Sequence, residues 1–192
     1  MAMNIESAFN NHLELIRSLA KDSQIQDGLI KAVNLIIQAY KLGNKVLLCG
    51  NGGSAADAEH IAAELSGKFK LNRKPLDAEA LHVNGAALTA ISNDYSYEDV
   101  FQRMIEAKAK KGDVTIFIST SGTSSNVING LKTARQNQCI TISFCGSNSK
   151  AMSAYSDLVF SIQSEETARI QEAYMLLLHI ICEHVEWQLF GA

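Results

Sequence analysis

Five short apolar runs, each separated from the next by a stretch with helical spacing, constrain this chain more than any other feature: KVLLCG (45–50), AEALHV (78–83), VTIFIST (114–120), ITISFC (140–145) and DLVFSI (157–162). Runs of this kind suit strands covered on both faces, and strands alternating with helices are joined by right-handed crossovers into a parallel sheet. Helical patterns lie over about 54–68, 97–111 and 124–136, with a short turn after Ser149 and a long terminal helix over about 166–190. Ahead of the first strand, Phe9, Leu13, Ile16 and Leu19, then Ile25, Leu29, Ile30, Val33, Ile36, Ile37 and Tyr40, recur at helical spacing up to Gly43, as two helices or one bent helix. The expected architecture is an α/β sandwich, residues 1–192 forming a single domain with 1–43 as a helical extension. An apolar stripe longer than a minimal five-stranded sandwich needs usually finds a partner helix, here in another subunit. The only proline, Pro75, marks LNRKPLD as the one connection long enough to suspect a special role.

Composition removes several function classes. With 192 residues the chain buries enough surface to need no disulfides, and Cys49, Cys139, Cys145 and Cys182 form no CxxC pair, so a reducing compartment is expected. A net charge of −3, from 17 basic and 20 acidic residues without a basic block, argues against a protein that grips nucleic acid nonspecifically. The first twenty residues lack the basic and apolar regions of a leader, and the apolar run from Tyr174 to Cys182 is too short to span a bilayer and carries His179. No membrane association and a cytoplasmic location follow as expectations. Met1 and Met3 leave the natural first residue open.

In open parallel sheets ligands bind beyond the carboxyl ends of the strands. The first strand runs into Gly50-Asn51-Gly52-Gly53-Ser54, with Ser54 and Asp57 spaced as a capping box. Glycines admit close backbone approach, and a helix start offers N–H groups to an anion. The third strand runs into Ser119-Thr120-Ser121-Gly122-Thr123-Ser124-Ser125-Asn126, where hydroxyls and helix N–H groups suit a phosphate that must also leave. Serine and glycine also serve as plain caps and turn formers, but two such loops at one sheet edge favour phosphate. Gly50-x-Gly52-x-x-Ala55 matches a relaxed dinucleotide fingerprint, yet the second run ends in Leu81-His82-Val83 without the acidic residue that would hold a ribose, and no Walker lysine follows the loop.

His60 and Glu64, four apart, share one face of the helix that opens at the first loop. That spacing alone is weak, since a helix salt bridge explains it and His179 with Glu183 repeats it. His179 sharpens the reading, because a polar ring inside MLLLHIIC calls for a hydrogen-bond partner or a ligand. His12 and His184 read as surface or interface residues, and His82 as facing either the pocket or a neighbour.

The stretches CGNGGSAADAEHIAAELSGKF, ISNDYSYEDVF, GDVTIFISTSGTSSNVI and TARIQEAYMLLLHIICEHVE, in this order over nearly the whole chain, resemble the phosphoheptose isomerases, a branch of the SIS phosphosugar-isomerase superfamily. The resemblance implies a flavodoxin-like five-stranded parallel sheet in a three-layer αβα sandwich, assembled as a homotetramer with each active site at a subunit interface. It assigns Glu64 and His179 as acid and base. It places Ser54, Ser119, Thr120, Ser121 and Ser124 around the phosphate, with Asn51, Gly52, Gly53, Asp94 and Gln171 also toward the substrate. It implies zinc, one per subunit, held by His60, Glu64, Gln171 and His179. Gln171 is the hardest of these to place, because eight helical residues separate it from His179 by about 12 Å along the axis. The chain departs from the common pattern at Lys68, where arginine is frequent, at Ala168, where some members have aspartate, and at Tyr174, where histidine is frequent; the first matters because lysine and arginine bind anions differently.

The implied reaction is the interconversion of sedoheptulose 7-phosphate and D-glycero-D-manno-heptose 7-phosphate for lipopolysaccharide core heptose. The alternative is a noncatalytic SIS protein that binds a phosphosugar and acts through a protein partner such as a replication initiator. That branch keeps the loops and loses the catalytic pair, which is present here.

Overall fold

The computed structural model describes residues 5–191, so the start of the chain at Met1 and Met3 lies outside it. Helix α1 (Ile5–Lys21) is followed by α2 (Ser23–Lys41). The break falls at Asp22, whose carboxylate accepts from the backbone N–H groups of Gln24 and Ile25 and caps the second helix. Of the two expectations for this region, two helices hold.

The five strands are β1 (Val46–Gly50), β2 (Ala78–Ala80), β3 (Val114–Ser119), β4 (Ile140–Cys145) and β5 (Leu158–Ser161). They form one sheet in the order β2-β1-β3-β4-β5, with every pair parallel. β1 and β3 are buried along their whole length, as their two-sided apolar runs require. The crossover helices are α3 (Gly53–Ser66), α4 (Gly85–Asp94), α5 (Val100–Lys108), α6 (Ser125–Gln136), the single turn α7 (Lys150–Ser153) and the terminal α8 (Thr167–Phe190). One core joins α2, α3 and α8 to one face of the sheet, around Ile36, Ile61, Leu65 and Leu178; the other face carries α5 and α6, around Phe101, Ile105 and Leu131. These layers are the three-layer αβα sandwich.

Three details differ from the expectation. The second run pairs only as far as Ala80, beside Leu48, and Leu81–Val83 turns into a 3-10 helix. The helical pattern from Tyr97 begins with a 3-10 turn over Tyr97–Asp99 before α5. α4 was not anticipated; its apolar stripe is short, Ala87, Leu88 and Ile91 packing on the core while only partly buried.

The connection around Pro75 is held from inside. Glu186 of α8 accepts the N–H groups of Phe69, Lys70 and Leu71 at 2.9, 2.6 and 2.9 Å and pairs with Arg73 Nε at 2.9 Å. The two side chains are 3% and 2% exposed, and Arg73 also donates to the carbonyls of Glu64, Leu65, Gly67 and Lys74. A buried ion pair is tolerable when its remaining donors and acceptors are satisfied, as they are here.

All four cysteines are free and buried. Burial pushes the thiols of Cys139 and Cys145 up to about 11 and that of Cys182 up to about 12, and raises Cys49 well above its ordinary value. Among the described residues no helix is long and apolar enough to cross a membrane.

Candidate functional site

The carboxyl ends of β1 and β3 are adjacent, so the two Gly/Ser loops meet at one edge of the sheet. In the first, Gly50 is needed because a Cβ there would come within 2.6 Å of the Ser54 carbonyl oxygen. Gly52 lies at φ 55°, ψ −121°, a conformation open chiefly to glycine, and a Cβ at Gly53 would run into the Gln171 amide of α8. Gly52, not Ser54, is the N-cap of α3, and no side chain caps that helix. The expected capping box of Ser54 with Asp57 is therefore absent, for a specific reason: both side chains are committed to Tyr174. The Tyr174 hydroxyl donates to Asp57 Oδ2 at 2.6 Å and so accepts from Ser54 Oγ at 3.0 Å. Burial, together with the bond to Asp57, raises the Tyr174 hydroxyl above its usual range. Ser54 is 4% exposed and its proton is spent inward, unlike the hydroxyls of the second loop.

The second loop is built differently. Ser119 Oγ lies 3.1 Å from Ser124 Oγ and 3.4 Å from Ser121 Oγ, and Thr123 bonds Ser121 through both its N–H and its hydroxyl. Thr120 is half-buried, and its carbonyl accepts from Gly146 N–H at 3.1 Å. Ser124 is the N-cap of α6 but makes no side-chain cap bond, so its hydroxyl stays with the loop beside the positive end of the helix. The two loops are tied by a reciprocal amide pair, Asn51 with Asn126, both contacts at 2.9 Å, and Tyr97 donates to Asn51 Oδ1 at 2.9 Å. Asn126 and Tyr97 were not singled out from the sequence. Asp94 closes α4, exposed, and accepts from Asn93; of that segment, Tyr97 is what reaches the loops.

One to three turns along α3, about 9 Å or more from Ser54, three side chains converge. His60 Nε2 stands 3.0 Å from His179 Nε2 and 3.4 Å from Glu64 Oε1, and the three offer ligand atoms all within 4.8 Å of one another. His60 is 51% and Glu64 25% exposed at the side chain, so the group opens to the surface, and His179 is half-buried rather than enclosed by its apolar neighbours. Phe69 stacks on the His179 ring at 5.8 Å and 26°. Burial pushes the His179 imidazole below its usual value and the neighbouring His60 adds to this, while Glu64 acts in the opposite sense. Two imidazole nitrogens at hydrogen-bond distance share at most one proton between them, so at least one of the two Nε2 atoms is unprotonated and accepts from the other.

The donor set fits a divalent metal. Ligand atoms about 2.0–2.1 Å from a tetrahedral zinc stand about 3.4 Å apart, near the His60–His179 and His60–Glu64 separations of 3.0 and 3.4 Å, and two imidazoles with a carboxylate are typical ligands. Gln171, the fourth expected ligand, has its amide beside Gly53 and Tyr174 in this chain, toward the loops. Of the remaining histidines, His82 pairs with Glu59 at 3.0 Å and His12 with Glu172 at 2.9 Å.

The SIS domain family matches residues 9–146. A phosphoheptose isomerase of Clostridium acetobutylicum is 48% identical over 187 residues, 97% of this chain and 95% of the relative. One of Aquifex aeolicus is 50% identical over 158 residues, 82% and 83% of the two chains. Among solved structures, the phosphoheptose isomerase of Neisseria gonorrhoeae superposes with a TM-score of 0.88 at 35% identity, covering 95% of this chain and 96% of that one. That of Francisella tularensis gives 0.89 at 28% identity, covering 94% and 95%.

Proposed function

Because the chain belongs to the SIS domain family and, within it, to the phosphoheptose isomerases, we propose that it interconverts sedoheptulose 7-phosphate and D-glycero-D-manno-heptose 7-phosphate, an aldose–ketose isomerisation that supplies heptose for lipopolysaccharide core. The observation that carries this reading is the convergence of His60, Glu64 and His179 on the helices that also form the loop edge. A purely binding protein has no use for three proton-exchanging groups held together.

In the reaction a proton leaves C1 of the ketose and is returned to C2, while the hydroxyl proton passes from O1 to O2, through an enediol. A carboxylate and an imidazole suit these two transfers: Glu64 moves the carbon-bound proton and His179 the oxygen-bound one. The lowered His179 keeps a neutral imidazole available near neutral pH, able to give a proton on one side and regain it. Gly52, Gly53, Ser119, Thr120, Ser121 and Ser124 take the phosphate end, with Ser54 setting the loop from inside and Asn51, Asp94 and Gln171 toward the sugar. Phosphate binding far from C1 and C2 supplies orientation. His60, Glu64 and His179, with Gln171, are the set that would hold one zinc per subunit; when bound it polarises the carbonyl as a Lewis acid.

Residues 1–192 act as one SIS domain in the cytoplasm, the first 43 building a homotetramer in which each active site is completed by a neighbour. Exposed Ile5, Phe9 and Leu13 on α1, at 63%, 68% and 46%, support this, since a stripe spaced by four residues is an interface left open in a single chain. A coupled assay with sedoheptulose 7-phosphate, before and after chelation and with zinc restored, tests the function. Glu64→Gln is expected to lower kcat by about 10²–10⁴ while light scattering still finds four chains per particle. Turnover near wild type in that variant would refute the assignment.

A further inference from the structure

Helices α3 and α8 advance side by side: Ser54 and Asp57 meet Tyr174, His60 meets His179, and beyond them Arg73 bridges the end of α3 to Glu186. Glu186 follows His179 by seven residues, almost two turns, and so lies on the same side of α8. Its carboxylate is saturated. Oε1 accepts from Phe69 N–H and Arg73 Nε, and Oε2 from the N–H groups of Lys70 and Leu71. Burial pushes this carboxyl up, but the three backbone N–H groups and the Arg73 guanidinium outweigh it and hold the group below the usual carboxylate range. The first residue in its grip, Phe69, is the one whose ring lies on His179. From the other side of the same ion pair, Arg73 Nη2 donates to the Glu64 carbonyl at 2.8 Å and Nη1 to that of Leu65 at 2.8 Å.

We propose that Glu186 and Arg73 are positioning residues for the isomerase: the pair holds the Phe69 ring against the His179 imidazole and fixes the end of α3 that carries Glu64, so that acid and base keep their separation. This rests on the acid and base roles given above to Glu64 and His179. Neither positioning residue touches the Gly/Ser loops, so their loss acts on the proton transfers and leaves phosphate binding alone. A role confined to stability would change melting and nothing else.

The experiment uses metal-free full-length protein labelled with ¹⁵N-histidine, in which the His179 imidazole resonances are identified with His179→Asn, alongside steady-state kinetics of the metal-loaded protein. Phe69→Leu removes the ring and is expected to move the His179 ring-proton signals downfield. Glu186→Gln, with Phe69 intact, is expected to move them the same way and to lower kcat about tenfold with KM unchanged, a loss of the size that sub-ångström misplacement produces. Unmoved His179 signals in folded Glu186→Gln, or a loss confined to melting temperature, would overturn the proposal. If Glu186→Gln does not fold, Phe69→Leu decides, since wild-type kcat there removes the proposed route to His179. An inactive wild-type protein would count against the isomerase reading instead, and the His179 shift in Glu186→Gln would still decide whether the brace exists.

Discussion

The two ends of the α3 and α8 pair are fastened by opposite means. At the loop end the fastening is a chain of hydroxyls from Ser54 through Tyr174 to Asp57. At the far end it is a buried guanidinium and carboxylate whose bonding capacity is used up by the backbone around them. Ser54 and Tyr174 are 4% and 0% exposed, so the loop end desolvates neutral hydroxyls that share one carboxylate, Asp57. The far end desolvates a full ion pair, which has no alternative partner, and it is the end proposed to keep Glu64 and His179 in register. A neutral fastening and a charged one thus sit two to three turns apart on the same two helices.

The contrast breaks most severely at the ion pair. Arg73→Ala leaves Glu186 buried without its cation and is expected to cost about 3–5 kcal/mol of stability, read from chemical denaturation. The same pair sets a pH dependence. Glu186 titrates below its ordinary value in the folded chain, so its contribution is complete above the unfolded carboxylate pKa, near 4.5, and is lost as pH falls through the lower folded value. Melting of the wild type should therefore fall over that acidic window, with a shallower fall in Arg73→Ala; equal slopes would count against the ion pair as the source.

At the loop end the effects are smaller. Gly52→Ala meets no atom within 4 Å of the added carbon, so only its backbone conformation is penalised. A cost of about 1–3 kcal/mol is expected, with KM raised because the loop opens at that residue. Tyr174→Phe deletes the hydroxyl that donates to the Asp57 carboxylate and should cost about 1.5–3 kcal/mol, freeing the Ser54 proton and shifting KM more than kcat. A kcat loss in Tyr174→Phe as large as that in Glu186→Gln would erase the distinction between the two ends.

Much of the fold was legible because its signals are local. The apolar runs set the five strands, and the break at Asp22 carries its own capping carboxylate. α4 escaped notice because its stripe along GAALTAISND is short, with Ala87, Leu88 and Ile91 only partly buried against the core. The run through Leu81-His82-Val83 looked like strand because Leu81 and Val83 stay apolar after the parallel pairing ends at Ala80. In the site, His60 and Glu64 showed through helical spacing and His179 through a polar ring in an apolar run. Asn126, 75 residues from Asn51, and Glu186, 113 to 117 from the residues it binds, had no such signal. A glutamate near the end of a long helix reads as a solvated charge until the chain that wraps it is in place. Ser54 is the instructive case, since a loop at Gly50–Ser54 is visible in the sequence, while the direction of the Ser54 hydroxyl depended on a tyrosine 120 residues away.

The four enclosed thiols turn the folded chain into its own reporter of fluctuation. Each sits in a different part of the molecule: Cys49 in β1, Cys139 just before β4, Cys145 at its end and Cys182 in α8 beyond His179. Protected by burial and by raised pKa values, a thiol reacts with an alkylating reagent only when its neighbourhood opens. Labelling rates therefore convert into local opening free energies, measured one segment at a time without introducing a probe.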